Sequence, residues 1–129
     1  MATNVRSIVE EYWRAEETRD LGLILAHYNS DAELMVPGMG WLKGHDEIKA
    51  FYEPSILRFP SLKVDILRGF ENPDQGCGAF EWRATFVDHD GGVMVQQGVN
   101  VVTTGGGKLK EMHVYYDTAS SEVFIGAKE

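Results

Sequence analysis

The sequence predicts an α+β fold in which three N-terminal helices lie against one face of a curved β-sheet. Apolar residues recur with a period near 3.6 in three stretches before Phe59-Pro60, and with a period of 2 in four stretches after it. The joins between the later stretches are short and turn-rich (ENPDQGCG, HDGG and GGG), which makes successive strands antiparallel neighbours. Helices followed by a run of strands is a layered pattern, with the helices segregated to one face of the sheet.

In chain order, Val5, Ile8, Val9, Tyr12 and Trp13 share one face of a first helix, capped by Thr3 or Asn4. The charged run Arg14–Arg19 continues it as a solvated face. Asp20 is the N-cap of a second helix carrying Leu21, Ile24, Leu25 and Tyr28. Residues 31–38, DAELMVPG, read as a short strand ended by Pro37-Gly38, and WLK at 41–43 as another. Gly44-His45-Asp46 opens a third helix with Ile48, Phe51 and Tyr52 on one face; Pro54 is expected to kink or shorten it. Strands follow at 62–70, 79–88, 93–104 and 108–117. No repeat or linker interrupts this order, so residues 1–129 read as one domain. A sheet wrapped around helices encloses a cone-shaped cavity, the natural place for a ligand.

The composition narrows the function. A chain of 129 residues, 43% hydrophobic and 25% charged, has the make-up of an ordinary soluble globule able to bury a core. A net charge of −8 argues against nucleic acid and against anionic membrane surfaces as partners. Cys77 is the one cysteine, so no intrachain disulfide forms, and no basic neighbour activates it as a nucleophile. The N-terminal MATNVRSIVEEYW lacks an apolar signal core, and the longest apolar run, near Leu21–Ala26, is too short to cross a bilayer. The expected location is cytoplasmic.

Familiar motifs are absent. Gly105-Gly106-Gly107 precedes a strand, so it reads as a hairpin turn and not as a phosphate loop. His27, His45, His89 and His113 show no ligand spacing, so neither a metal nor any other cofactor is expected. His27, at the edge of the second helix's apolar face, is the one histidine placed to approach the cavity. The aromatic residues are more telling. Rings such as Tyr12, Trp41, Phe51, Tyr52, Phe80, Trp82 and Tyr116 are many for one small core, and together they suit a cavity for a flat or cyclic apolar molecule.

The layout SIVEEYWRAEETRDLGLILAHYNSDAELMVPG, then GHDEIKAFY, then hairpins ending in GGKLKEMHVYYD, resembles the nuclear transport factor 2-like superfamily over about residues 4–118. It is most similar to the SnoaL-like and ketosteroid-isomerase-like branches. The resemblance implies a cone-shaped curved mixed sheet around three helices, with a homodimer formed through the outer sheet face. Against ketosteroid isomerases, Tyr12 matches a tyrosine that donates to a developing oxyanion, and Phe51-Tyr52 matches the pocket wall. The general base, however, falls on Val36, and a second acid falls on Val99, or on Asn100 if the register slips by one. Residues that limonene-epoxide-hydrolase-like enzymes keep as charged groups fall on Phe80, Trp82 and Val114, and the acid/base of SnoaL-like cyclases also falls on Val114. A valine neither abstracts nor donates a proton, so steroid isomerisation by the family's mechanism is not expected.

Strand parity sorts the remaining residues. If Val114 points inward, so do Met112 and Tyr116, with Lys110 near the mouth; Phe80, Trp82, Ala84 and Phe86 form the inward set of a second strand. Glu111, His113, Tyr115 and Asp117 then lie on the outer face, with Glu111 and His113 expected beside Arg83 or Glu81. The expected pocket comprises Leu34, Val36, Trp41, Phe51 and Tyr52 together with Phe80, Trp82, Val99, Met112, Val114 and Tyr116. Tyr12, Asn100 and His27 are the candidate catalytic groups. Two functions stand side by side. One is an isomerase, cyclase or dehydratase acting by proton transfer on a small cyclic apolar molecule. The other is a ligand-binding or dimerisation module that has lost the family's carboxylates.

Overall fold

The computed structural model describes residues 4–117 and the backbone of Val123 and Phe124. Helix α1 spans Val5–Glu17, α2 Leu21–Leu25, β1 Tyr28–Val36, β2 Gly40–Lys43 and α3 Gly44–Arg58. Strands β3 (Ser61–Asn72), β4 (Cys77–Val87), β5 (Val93–Gly105), β6 (Lys108–Tyr116) and the short β7 (Val123–Phe124) complete the fold. The sheet order is β2-β1-β6-β5-β4-β3, with β7 pairing against the start of β5. The β1–β6 pair is parallel and the other pairs are antiparallel, which makes the curved, unclosed sheet a mixed one.

Helix α1 forms where the periodicity places it. Asn4 Oδ1 accepts from the Ser7 amide at 2.7 Å, and Val5, Ile8, Val9, Tyr12 and Trp13 are buried against the sheet. The alternative cap, Thr3, lies outside the described residues. Helix α2 is shorter than expected. Asp20 Oδ1 caps it through the Leu23 amide at 3.2 Å, but it stops at Leu25. Tyr28 begins β1 instead of closing the helix, because the ladder captures the chain there: the Leu109 amide donates to His27 O at 2.8 Å, and Tyr28 pairs with Leu109. Pro54 does not end α3. Its missing N–H would have bonded Ala50 O, and both residues lie on the exposed side of the helix, where water can take that carbonyl.

Two further expectations are corrected. The run Arg14–Arg19 is not a purely solvated face. Arg14 Nη2 donates to Val64 O at 2.8 Å, and the Val64 amide donates to Glu17 Oε2 at 2.7 Å, which fastens α1 to β3. Arg19 closes α1 at φ 58°, a left-handed conformation costing a non-glycine residue about 1–2 kcal/mol. Its guanidinium offsets this by donating to Phe59 O at 3.0 Å and Ser55 Oγ at 2.9 Å. Lys110 does not reach the cavity mouth. Thr103 and Thr104 pair with Glu111 and Leu109, so Lys110 is the extra residue of a bulge and is exposed, while Leu109 and Met112 both point inward.

The outer sheet face carries a row that crosses six strands in register: Trp41, Met35, His113, Val101, Ala79 and Phe70. Trp41 was expected in the pocket. It lies instead on this face, 43% exposed, with its ring edge-on to His113 at 4.8 Å. Val99 also faces outward, opposite Tyr115 on β6, because its neighbour Asn100 takes the inward position. Glu111 and His113 meet each other at 3.6 Å and not Arg83 or Glu81, since β5 separates β6 from β4.

Candidate acid–base site in an apolar cavity

Between the helix layer and the inner sheet face lies a cavity of about 180 Å³. Its sheet side is formed by Val64, Trp82, Ala84, Phe86, Met94, Val114 and Tyr116, with Gln96 and Asn100 as the polar members. Its helix side combines Trp13, Phe51 and Phe59 with a polar group made of Tyr12, Glu16, Tyr52 and Ser55. Tyr12 and Glu16 stand one turn apart on α1, so the helix itself sets their separation.

That polar group is one chain of hydrogen bonds. Tyr12 Oη donates to Glu16 Oε2 at 2.5 Å. Tyr52 Oη meets Tyr12 Oη, and Tyr28 Oη lies 2.6 Å from Tyr52 Oη. With Glu16 ionised, the directions follow from counting protons. A carboxylate only accepts, so Tyr12 gives it its proton; Tyr52 then donates to Tyr12, and Tyr28 to Tyr52. All three phenols are buried, and burial first, then the Glu16 charge, holds the Tyr12 hydroxyl well above its ordinary pKa of 10.0. Burial likewise raises Tyr28 and Tyr52, so the three phenols stay protonated at neutral pH. The Glu16 carboxyl is raised above 4.5 by burial, against the lowering effects of the Tyr12 hydrogen bond and the nearby Arg19 charge.

On the sheet side, Trp82 Nε1 donates to Asn100 Oδ1 at 2.9 Å, and Asn100 Nδ2 contacts Met112 Sδ at 3.3 Å. The Asn100 amide is thereby engaged at both ends, as a buried amide must be.

Of the residues singled out from sequence, Tyr12, Asn100, Phe51, Tyr52, Trp82, Val114 and Tyr116 line the cavity. Leu34, Val36, Phe80 and Met112 point inward but pack as closed core, each at most 3% exposed. His27 does not reach the cavity: it sits in the turn before β1 with Nδ1 on Leu23 O at 2.9 Å. Among the described residues, no cluster of three or more His, Cys, Asp or Glu side chains is placed to hold a metal ion. No helix among them is long and apolar enough to cross a membrane.

The sequence matches the SnoaL-like domain family over residues 9–112. The chain belongs to that family. Its fold is also that of an epoxide hydrolase from M. tuberculosis described as LEH-like, with a TM-score of 0.75 at 14% identity, covering 91% of this chain and 85% of the other. An NTF2-like protein of unknown function from Burkholderia pseudomallei superposes with a TM-score of 0.75 at 22% identity, covering 92% and 94%. At these identities the likeness is one of fold. None of the curated proteins compared matches the sequence.

In this SnoaL-like domain, two positions where the resemblance led to an acid, Val36 and Val114, are apolar side chains on the inner face. The carboxyl at the cavity comes instead from α1. Sequence reasoning missed Glu16 because it sits in a run of charges. The available signal was its spacing: Glu16 follows Tyr12 by four residues and extends the stripe of Val5, Val9 and Tyr12.

Proposed function

We propose that this SnoaL-like protein catalyses proton transfer on a small, neutral, cyclic apolar molecule, in the manner of an isomerase, cyclase or dehydratase that needs no cofactor. The Tyr12–Glu16 hydrogen bond at the cavity wall carries this reading. Glu16 is the general base and Tyr12 the phenolic donor. The base takes a proton from a carbon next to a carbonyl; the C–H electron pair moves into the enolate, and the new O–H bond neutralises Glu16. A neutral Glu16 no longer needs the Tyr12 proton, so that phenol can turn to the developing oxyanion, with Tyr52 and Tyr28 supporting it from behind. The raised pKa of Glu16 makes it a stronger base than a free carboxylate would be.

A second reading, ligand binding without chemistry, is favoured by the apolar residues at Val36 and Val114 and by the engagement of Asn100 at both ends. A thermal-shift screen of cyclic ketones and alcohols, followed by product analysis of every stabilising compound, separates the two. Products from at least one stabilising compound support catalysis. Stabilisation with no product from any of them supports binding alone.

The outer face supports a homodimer. The row from Trp41 to Phe70, apolar except at His113, crosses six strands, and Val101 at its middle is 41% exposed in a single chain. An exposed, largely apolar sheet face of this kind suits a two-fold pairing of identical chains.

A further inference from the structure

We infer that Trp82 sets the size limit of the ligand, so that the cavity takes a single neutral ring bearing one oxygen and rejects two fused rings. The inference rests on the reading of the cavity as a ligand site, and not on Glu16 acting as a base.

An apolar cavity of about 150 Å³ accommodates benzene. The 180 Å³ here leaves room for one ring and a few further atoms. The Trp82 indole is one wall of this cavity, and three strands hold it in place. From β5, Asn100 Oδ1 accepts its Nε1–H at 2.9 Å, and from β6, Met112 Sδ lies 3.3 Å from the other end of that amide. Trp82, Asn100 and Met112 are all buried, so swinging the indole aside would strip a buried amide of its donor. Gly98, paired with Trp82 across the ladder, makes room for the ring. A Cβ at Gly98 would lie 2.8 Å from Trp82 Cζ2 and 2.2 Å from Tyr115 O, so only glycine lets the indole and β6 close up at this point. A ring fixed this firmly is a wall and not an adjustable side chain.

The polar groups set the orientation. Glu16, Tyr12 and Tyr52 stand on the helix side, while Trp82 stands on the sheet side with its one N–H already used. With the indole N–H already used, the ligand's hydrocarbon edge faces Trp82. The Arg19 guanidinium is engaged with Phe59 O and Ser55 Oγ, which leaves an anionic ligand without a ready counter-ion and favours a neutral one.

Cyclohexanone and 1-tetralone, one ring and two, test the inference through the indole N–H resonances. Trp13 and Trp82 line the cavity, and Trp41 on the outer face is the internal reference. In the native protein, cyclohexanone should shift Trp13 and Trp82 but not Trp41, and 1-tetralone should bind at least about tenfold more weakly. Trp82→Ala and Trp82→Phe should both bind 1-tetralone more tightly than the native protein does, by about tenfold or more for Ala, read at Trp13. If Trp82→Ala does not fold, Trp82→Phe decides alone. Equal affinity for both ketones in the native protein, no gain in the variants, or no cavity signal with either ketone would overturn the inference. These readouts are of binding and need no turnover, so a failed base and a failed size limit are told apart.

Discussion

Tyr12 Oη lies 2.5 Å from Glu16 Oε2, and this contact ties the cavity to a buried run of phenols that ends at Tyr28. Tyr52 is the middle member, bonded on both sides, whereas Tyr28 stands at the end of the chain and bonds Tyr52. Tyr52→Phe removes two hydrogen bonds and leaves Tyr28 a buried donor without its acceptor; a loss of about 1–3 kcal/mol is expected. Tyr28→Phe removes one and leaves Tyr52 still donating to Tyr12, for about 0.5–1.5 kcal/mol. Chemical denaturation of both variants should rank Tyr52→Phe as the more destabilised. The reverse order would mean that the chain does not run as described.

The raised Glu16 pKa has opposite consequences for stability and for activity. The folded protein holds this proton more tightly than the unfolded chain, so the stability it contributes is full below pH 4.5. That contribution is lost as pH rises through the higher folded value. The unfolding free energy of the native protein relative to Glu16→Gln should fall as pH rises across that window. Turnover should rise over the same window, because only the ionised carboxyl is a base. A rising limb at or below pH 4.5 would contradict the assignment.

Much of this was legible in the sequence, for reasons that particular residues make clear. The burial of Val5, Ile8, Val9, Tyr12 and Trp13 follows from a helical stripe, and that of Phe80, Trp82, Ala84 and Phe86 from strict alternation along β4. Strand β5 misleads because its outward set is the more apolar one: Val95, Val99 and Val101 face out, while Gln96, Gly98 and Asn100 face in. A one-residue change of register exchanges the two faces, and composition favours the wrong choice wherever the outer face is itself apolar. Trp41 was misplaced for the same reason, since a large aromatic on an edge strand reads as core when its face is unknown. Glu16 was hidden by its neighbours Glu17 and Arg14, which contact β3 outside the cavity.

The outer apolar row makes a prediction independent of the cavity. Val101→Glu places a charge at the centre of the row, on a strand whose inner face it does not touch. The native protein should have twice the chain mass in solution, and the variant should fall to a single chain mass with a thermal unfolding curve that no longer depends on concentration. A native protein that stays monomeric at high concentration would remove the dimer.

The central claim is that Glu16 is the base and Tyr12 its phenolic partner. Glu16→Gln keeps the size of the side chain and an oxygen that can accept from Tyr12, but it cannot take a proton from carbon. With a compound that the native protein converts, Glu16→Gln should lower kcat by about 10²–10⁴-fold while ligand affinity changes little. Tyr12→Phe should lower kcat less, because Glu16 remains. Native turnover in Glu16→Gln would contradict the account.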